Sequence, residues 1–277
     1  MKQRVVLVLG LFLFIFTFLS FALLAGQNSR IERREEMLFR SREELILAQN
    51  RINEEEQRVN TLSREVGRLS GENKAHIILT FDDGPSSITG PILDILEKEN
   101  IPAVFFINGV NVSAGRVRLI KRAVAEGHII GNHTYSHDYD RIYRSVDDFM
   151  EDFLKNEELI WKWTGTRSML VRFPGGSRNS LCATEEGRQL MEDLKYEMDR
   201  RGYLYMDWNV TDPSNDPQEV LHSLEDQILW RDSATILLHD RGDRAFLVEI
   251  LPSLIKTLKE EGYEFVLPER FAGAVRF

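Results

Sequence analysis

Two adjacent carboxylates, Asp82 and Asp83, close an apolar run in "IILTFDDGPSS", residues 77–87. Asp, Gly and Pro make turns on their own account, so the pair does chemistry only if partners elsewhere in the chain want its charges. Candidates exist: His133 and His137 in "IIGNHTYSH", Arg172 in "LVRFPGGS", Asp207 and Trp208 in "YMDWNVTDPSND", and His239 with Asp240 in "ILLHD". Histidines four residues apart sit one helical turn from each other, close enough to share a cation. One carboxylate beside two imidazoles is a ligand set for an open site of zinc-like metals. Each residue alone has a plainer explanation: a solvated turn, a surface arginine, a strand-end histidine. His76, His128 and His222 keep the plainer one. What that explanation does not cover is the joint occurrence of the others directly after apolar runs.

Those runs define the scaffold. Strands are expected at 76–81, 103–108, 128–131, 169–173, 204–207, 235–238 and 264–267, with amphipathic helices at 91–99, 116–125, 146–163, 185–201, 217–230 and 244–261. Such alternation implies parallel strands joined by crossover helices. About 200 residues of it suit one α/β barrel with fewer than eight strands, or a doubly wound sheet. In either, the residues that follow the strands gather on one face, where these folds build active sites.

In order and spacing, "TFDDGPS", "HTYSH", "RFPGG" and "LLHD" resemble the polysaccharide deacetylases with the NodB homology domain, carbohydrate esterase family 4. The resemblance covers residues 75–270 and implies a distorted (β/α) barrel of about seven strands that removes acetyl groups from N-acetylated sugars. It implies that Asp83, His133 and His137 hold one divalent metal, zinc first, with cobalt or nickel as alternatives. Asp82 is then the general base, Arg172 its electrostatic support and His239 the general acid for the leaving amine. It places the backbone N–H of Gly175 at the oxyanion and Leu237 against the acetyl methyl. Two departures stand out. Where the family often has Asp-Ser-x-Asp-Trp, this chain has "NVTDPSNDP", which makes Asp212 the candidate partner of His239 and leaves Trp208, at a strand end, as the nearest pocket-wall tryptophan. Where "RPPYG" is common, "RFPGG" puts Gly175 at the tyrosine position.

The rest of the chain bears on location. Lys2 and Arg4 precede a run of about 21 uncharged residues, Val5 to Ala25, long enough to span a bilayer. The expectation is a signal anchor over 1–26 with the bulk of the protein outside the cell, the alternative being a cleaved signal. Residues 27–74 repeat Ile31, Leu38, Leu45, Ile52, Val59 and Val66 every seven positions. That seam predicts a helical stalk that dimerises or spaces, the alternative being a solvated single helix. The domain expected to do chemistry is 75–277. A net charge of −9 excludes a nucleic-acid partner, and the single cysteine, Cys182, excludes an internal disulfide or a cysteine-rich metal site. Anchor, stalk and motifs together lead to a membrane-anchored deacetylase of cell-wall glycan, with peptidoglycan GlcNAc as substrate. The alternatives are a deacetylase of secreted poly-N-acetylglucosamine or chitin-like oligomers, and a carbohydrate-binding envelope protein without activity.

Overall fold

A computed structural model describes residues 75–212, 214–228 and 231–268, together with Met37, Arg40, Ser41, Arg51 and Arg58. The chain divides into two units, Met1–Val59 and Asn60–Phe277. The five described residues of the first unit are helical. The expected membrane anchor, and the heptad seam with its homodimer, otherwise lie outside the described residues. Among the described residues no helix is long and apolar enough to cross a membrane.

The described residues of the second unit form eight parallel strands: β1 (His76–Gly84), β2 (Val104–Ile107), β3 (Ile129–Asn132), β4 (Leu170–Val171), β5 (Leu204–Tyr205), β6 (Val210–Thr211), β7 (Ser233–His239) and β8 (Glu264–Phe265). Their order is β5-β4-β3-β2-β1-β7-β6, with β8 paired to the start of β1. This is a half-barrel of seven strands plus one short addition. All seven strands expected from sequence are present, several of them shorter than expected. β6 was not expected; it has two residues, too few to show a period, and its pairing with Ile236 and Leu237 of β7 defines it. The helices are α1 (Thr89–Glu99), α2 (Val117–Ala125), α3 (Tyr139–Ile142), α4 (Val146–Thr164), α5 (Glu185–Arg200), α6 (Pro217–Ile228) and α7 (Leu247–Glu260).

Strand alternation separates two kinds of core. Ile77, Leu79 and Phe81 of β1 join Phe105, Ile107, Ile236 and Leu238 against α1, α6 and α7. A second cluster, including Phe149, Phe153, Val171, Phe173 and Leu194, packs α4 and α5 on the β4 side. The opposite face of the strands fills the inside of the half-barrel with Ile78, Val104, Phe106, Leu170 and Met206. Gly131 of β3 is bare for a steric reason, since a Cβ there would stand 2.3 Å from Phe106 Cδ1. That inner apolar layer is the floor on which the polar residues at the carboxyl ends of the strands rest.

Candidate active site

Alternation would send neighbouring Asp82 and Asp83 to opposite faces. Asp82 continues the inward series Ile78 and Thr80, is buried, and pairs in register with His239 of β7. The β1–β2 register then slips between Asp82 and Gly84, and Asp83 adopts φ 70°. This bulge re-aims the second carboxylate into the same site, a recurrent use of bulges and of left-handed non-glycine residues. Asp83 is held there by Asn108, whose Nδ2 donates to Oδ1 at 2.9 Å, and by Asn111, whose Nδ2 donates to the backbone carbonyl at 2.8 Å. Burial pushes the Asp83 carboxyl up, but His133, His137 and the Asn108 hydrogen bond outweigh it and hold it below the usual range.

The histidine pair is not helical, which corrects the one-turn spacing expected from HxxxH. Residues 133–138 form a loop between β3 and α3, with Thr134 at φ 66° and His137 at φ 55°. These turns bring the ring centroids to 5.0 Å. The loop is clamped by α4, which Ser145 caps by accepting from Asp148 N. One face of α4 presents Asp152 and Asn156, four residues apart. Asp152 Oδ1 accepts from the N–H groups of Tyr135 and Ser136 at 2.6 and 2.9 Å. Asn156 donates to Asn132 Oδ1, which accepts from Thr134 N as well. His133 Nδ1 lies 2.8 Å from the carbonyl of Arg172. A carbonyl only accepts, so Nδ1 carries a proton, and Nε2 is the ring nitrogen turned to the site; in the neutral ring it is the one with the lone pair. Burial and His133 depress the His137 pKa, which favours its neutral, ligating form.

Arg172, fully buried, ties the floor to the carboxylates. Its guanidinium donates to Asp82 Oδ1 at 2.8 Å, Thr80 Oγ1 at 2.8 Å, the Met206 carbonyl at 2.9 Å and the Asp207 carbonyl at 3.1 Å. It lies 4.2 Å over the Phe106 ring and 5.4 Å from the Trp208 ring. Asp207 faces away from the reacting groups and fixes the loop after β4, accepting from Ser177 N at 2.8 Å and from Ser177 Oγ at 2.6 Å. In that loop Gly175 has φ 75°, and its N–H has no backbone or side-chain acceptor among the described residues. Trp208 abuts the next residue; a Cβ on Gly176 would be 3.0 Å from its ring. Leu237, buried on β7, pairs in register with Thr80 and belongs to the same inward series as His239.

His239 closes the site. Its Nδ1 stands 3.3 Å from Asp212 Oδ1, which leaves Nε2 for other partners. Asp212 is buried and also accepts from Arg244, which in turn bonds the Ser214 carbonyl at 2.7 Å. Burial lowers the His239 pKa, but the Asp212 hydrogen bond and the charges of Asp82, Asp212 and Asp83 raise it more, so the net shift is upward. Asp240 points elsewhere: it accepts from Ser86 and Thr89 and ties the loop after β1 to the start of α1.

The structure thus gathers Asp82, Asp83, His133, His137, Arg172, Asp212 and His239 at one end of the half-barrel. Asp152, Asn108 and Arg244, which also shape the site, carry no sequence motif; the one hint was their polarity amid residues patterned for burial. Donor atoms of Asp83, His133 and His137 all lie within 4.8 Å of one another. One carboxylate and two imidazoles converging at that spacing fit a divalent transition metal.

Comparison with known proteins gives the same direction. The family profile described as polysaccharide deacetylase matches residues 70–198. A peptidoglycan-N-acetylglucosamine deacetylase of Bacillus cereus is 32% identical over 202 residues, which cover 70% of this chain and 86% of that protein. The Bacillus subtilis relative YheN is 32% identical over 197 residues, covering 68% of this chain and 65% of its own length. The catalytic domain of a peptidoglycan N-acetylglucosamine deacetylase from Eubacterium rectale superposes with a TM-score of 0.63 at 29% identity, covering 70% of this chain and 89% of that one. The sequence match spans 86% of that Bacillus cereus protein and the fold match 89% of that Eubacterium rectale domain, and the chain belongs to the polysaccharide deacetylase family.

Proposed function

We propose that the chain is a divalent-metal-dependent N-deacetylase of cell-wall glycan, acting on GlcNAc residues of peptidoglycan. The carrying observation is that Asp83, His133 and His137 converge while a second carboxylate, Asp82, stands 3.5 Å from His133 Nε2. Asp83, His133 and His137 would hold the metal, zinc first, which when bound polarises the acetamide carbonyl and makes water a stronger nucleophile at neutral pH. The chain's own groups divide the remaining work. Asp82 keeps Oδ1 on Arg172, so Oδ2 takes the proton as water adds to the acetyl carbon. The Gly175 N–H donates to the oxygen on which negative charge develops. His239, protonated with the help of Asp212, gives its Nε2 proton to nitrogen as the C–N bond breaks, because an amine does not leave as an anion. The products are acetate and a glucosamine residue with a free amine.

Two expectations arise from the supports. Asp152→Ala releases the Tyr135 and Ser136 N–H groups, and zinc affinity should fall about tenfold or more, as for other outer-shell ligand supports. Calorimetric metal titration of the purified chain measures this; unchanged affinity would show that the loop holds itself. Asp212→Asn removes a charge that raises the His239 pKa, so His239 loses its proton at a lower pH than in the unaltered chain. The alkaline limb of kcat should move to lower pH, and an unmoved limb would separate His239 from the acid role.

The uncharged run over residues 5–25 and the heptad seam of the stalk support an anchored, extracytoplasmic enzyme whose substrate is fixed outside the cell. Isolated peptidoglycan and poly-N-acetylglucosamine test the substrate. New free amines on peptidoglycan support the reading; release from the other polymer alone would move the substrate away from the wall.

A further inference from the structure

Tyr139, at the start of α3, has no role in the chemistry above. It is 37% exposed and stands edge-on to the His137 ring at 5.5 Å and to the Tyr143 ring at 5.4 Å. The two tyrosines differ in what their hydroxyls do. Tyr143 donates to the Pro174 carbonyl at 2.8 Å, and Asn179 Nδ2 donates to the same oxygen at 3.0 Å, so the loop carrying Gly175 is pinned. The Tyr139 hydroxyl has no hydrogen-bond partner among the described residues. It lies where a side chain at position 175 would begin: a Cβ built on Gly175 would be 2.2 Å from Tyr139 Oη. Glycine at 175 is therefore what admits this hydroxyl, and the Tyr139 ring takes up space that a larger residue there would fill. The result is an aromatic ring, partly open to solvent, that ends in an unused donor between His137 and the free N–H of Gly175. An amphipathic ring of this kind suits a sugar, which offers an apolar C–H face and hydroxyls around its rim.

We propose that Tyr139 is a substrate-binding residue: its ring packs against the pyranose that bears the reacting acetamide, and its hydroxyl donates to an oxygen of that sugar. The assignment rests on the deacetylase reading and adds to it the group that seats the sugar. Because the contact is to the sugar and not to the breaking bond, it acts in the ground state and the transition state alike and should show in KM more than in kcat.

The test compares Tyr139→Phe with the unaltered full chain. One neutral hydrogen bond lost should raise KM for GlcNAc oligomers about five- to tenfold, with kcat within about twofold. The second readout is binding: in an Asp82→Asn background, where the oligomer stays intact, calorimetry should show the same five- to tenfold loss of affinity on adding Tyr139→Phe. Zinc affinity should not change, since the phenyl ring keeps its contact with His137. Unchanged oligomer affinity would overturn the assignment, and so would a loss matched by an equal loss of zinc affinity, which would mean that Tyr139 acts through His137. Failure of the unaltered chain to bind or deacetylate any glycan would overturn the deacetylase reading and this assignment together, whereas the first two outcomes overturn this assignment alone.

Discussion

Asp82→Asn is expected to lower acetate release from N-acetylated glycan by about a thousandfold, within the range that positioned acid–base groups contribute. The substitution is nearly isosteric. The amide oxygen can still accept from Arg172, so the buried hydrogen bond at 2.8 Å survives and the fold with it. What changes is the other terminal atom, the one that stands 3.5 Å from His133 Nε2. There a basic oxygen becomes an NH2 group, which cannot take a proton. Zinc affinity should stay within a fewfold of the parent, because Asp82 is not one of the three converging donors. Steady-state kinetics beside metal titration separate the effects. Activity above a tenth of the parent would remove Asp82 from the base role, and a collapse of zinc binding would make it a ligand.

The second large effect is on stability. Arg172→Met should destabilise the fold by about 3–5 kcal/mol, the usual cost of leaving one partner of a buried ion pair uncompensated. Arg172 is fully buried and its loss strands more than one group: Asp82 loses its cationic partner, and the carbonyls of Met206 and Asp207 lose their donor. The methionine fills much of the space over Phe106, so a cavity is a small part of the cost. Adding Asp82→Asn to Arg172→Met should restore part of the loss, because the unpaired charge is then gone; the two changes are coupled and not additive. Urea midpoints of the four proteins give the cycle. Strict additivity would show that the Asp82–Arg172 pair is not what holds this corner of the site.

How much of this was legible in the sequence depended on how local the cause was. The strands with three or more apolar positions, such as 77–81 and 235–238, announced themselves, and placing the polar residues after them followed from the parallel alternation. The two carboxylates were visible, but not the bulge that sends both to one side, since positive φ at Asp83 is imposed by Asn108 and Asn111 from the next connection. HxxxH suggested a helical turn, whereas Asp152 and the Asn132–Asn156 pair hold the segment as a loop. Asp212 was within reach because it precedes His239 in a segment the resemblance had flagged. Arg244, which fixes Asp212 from 32 residues on, was not. The bare position at Gly175 was plain in "RFPGG"; that Tyr139 lies against it is a tertiary fact that no spacing encodes.

Metal-dependent deacetylation is tested by acetate release from GlcNAc oligomers by the purified full chain, first stripped by a chelator and then reloaded with zinc, cobalt or nickel. The expected result is no release from the stripped protein, recovery with at least one of the three metals, and no recovery in Asp83→Ala under the same loading. Equal release before and after chelation, or no release with any metal despite confirmed binding to Asp83, His133 and His137, would contradict it.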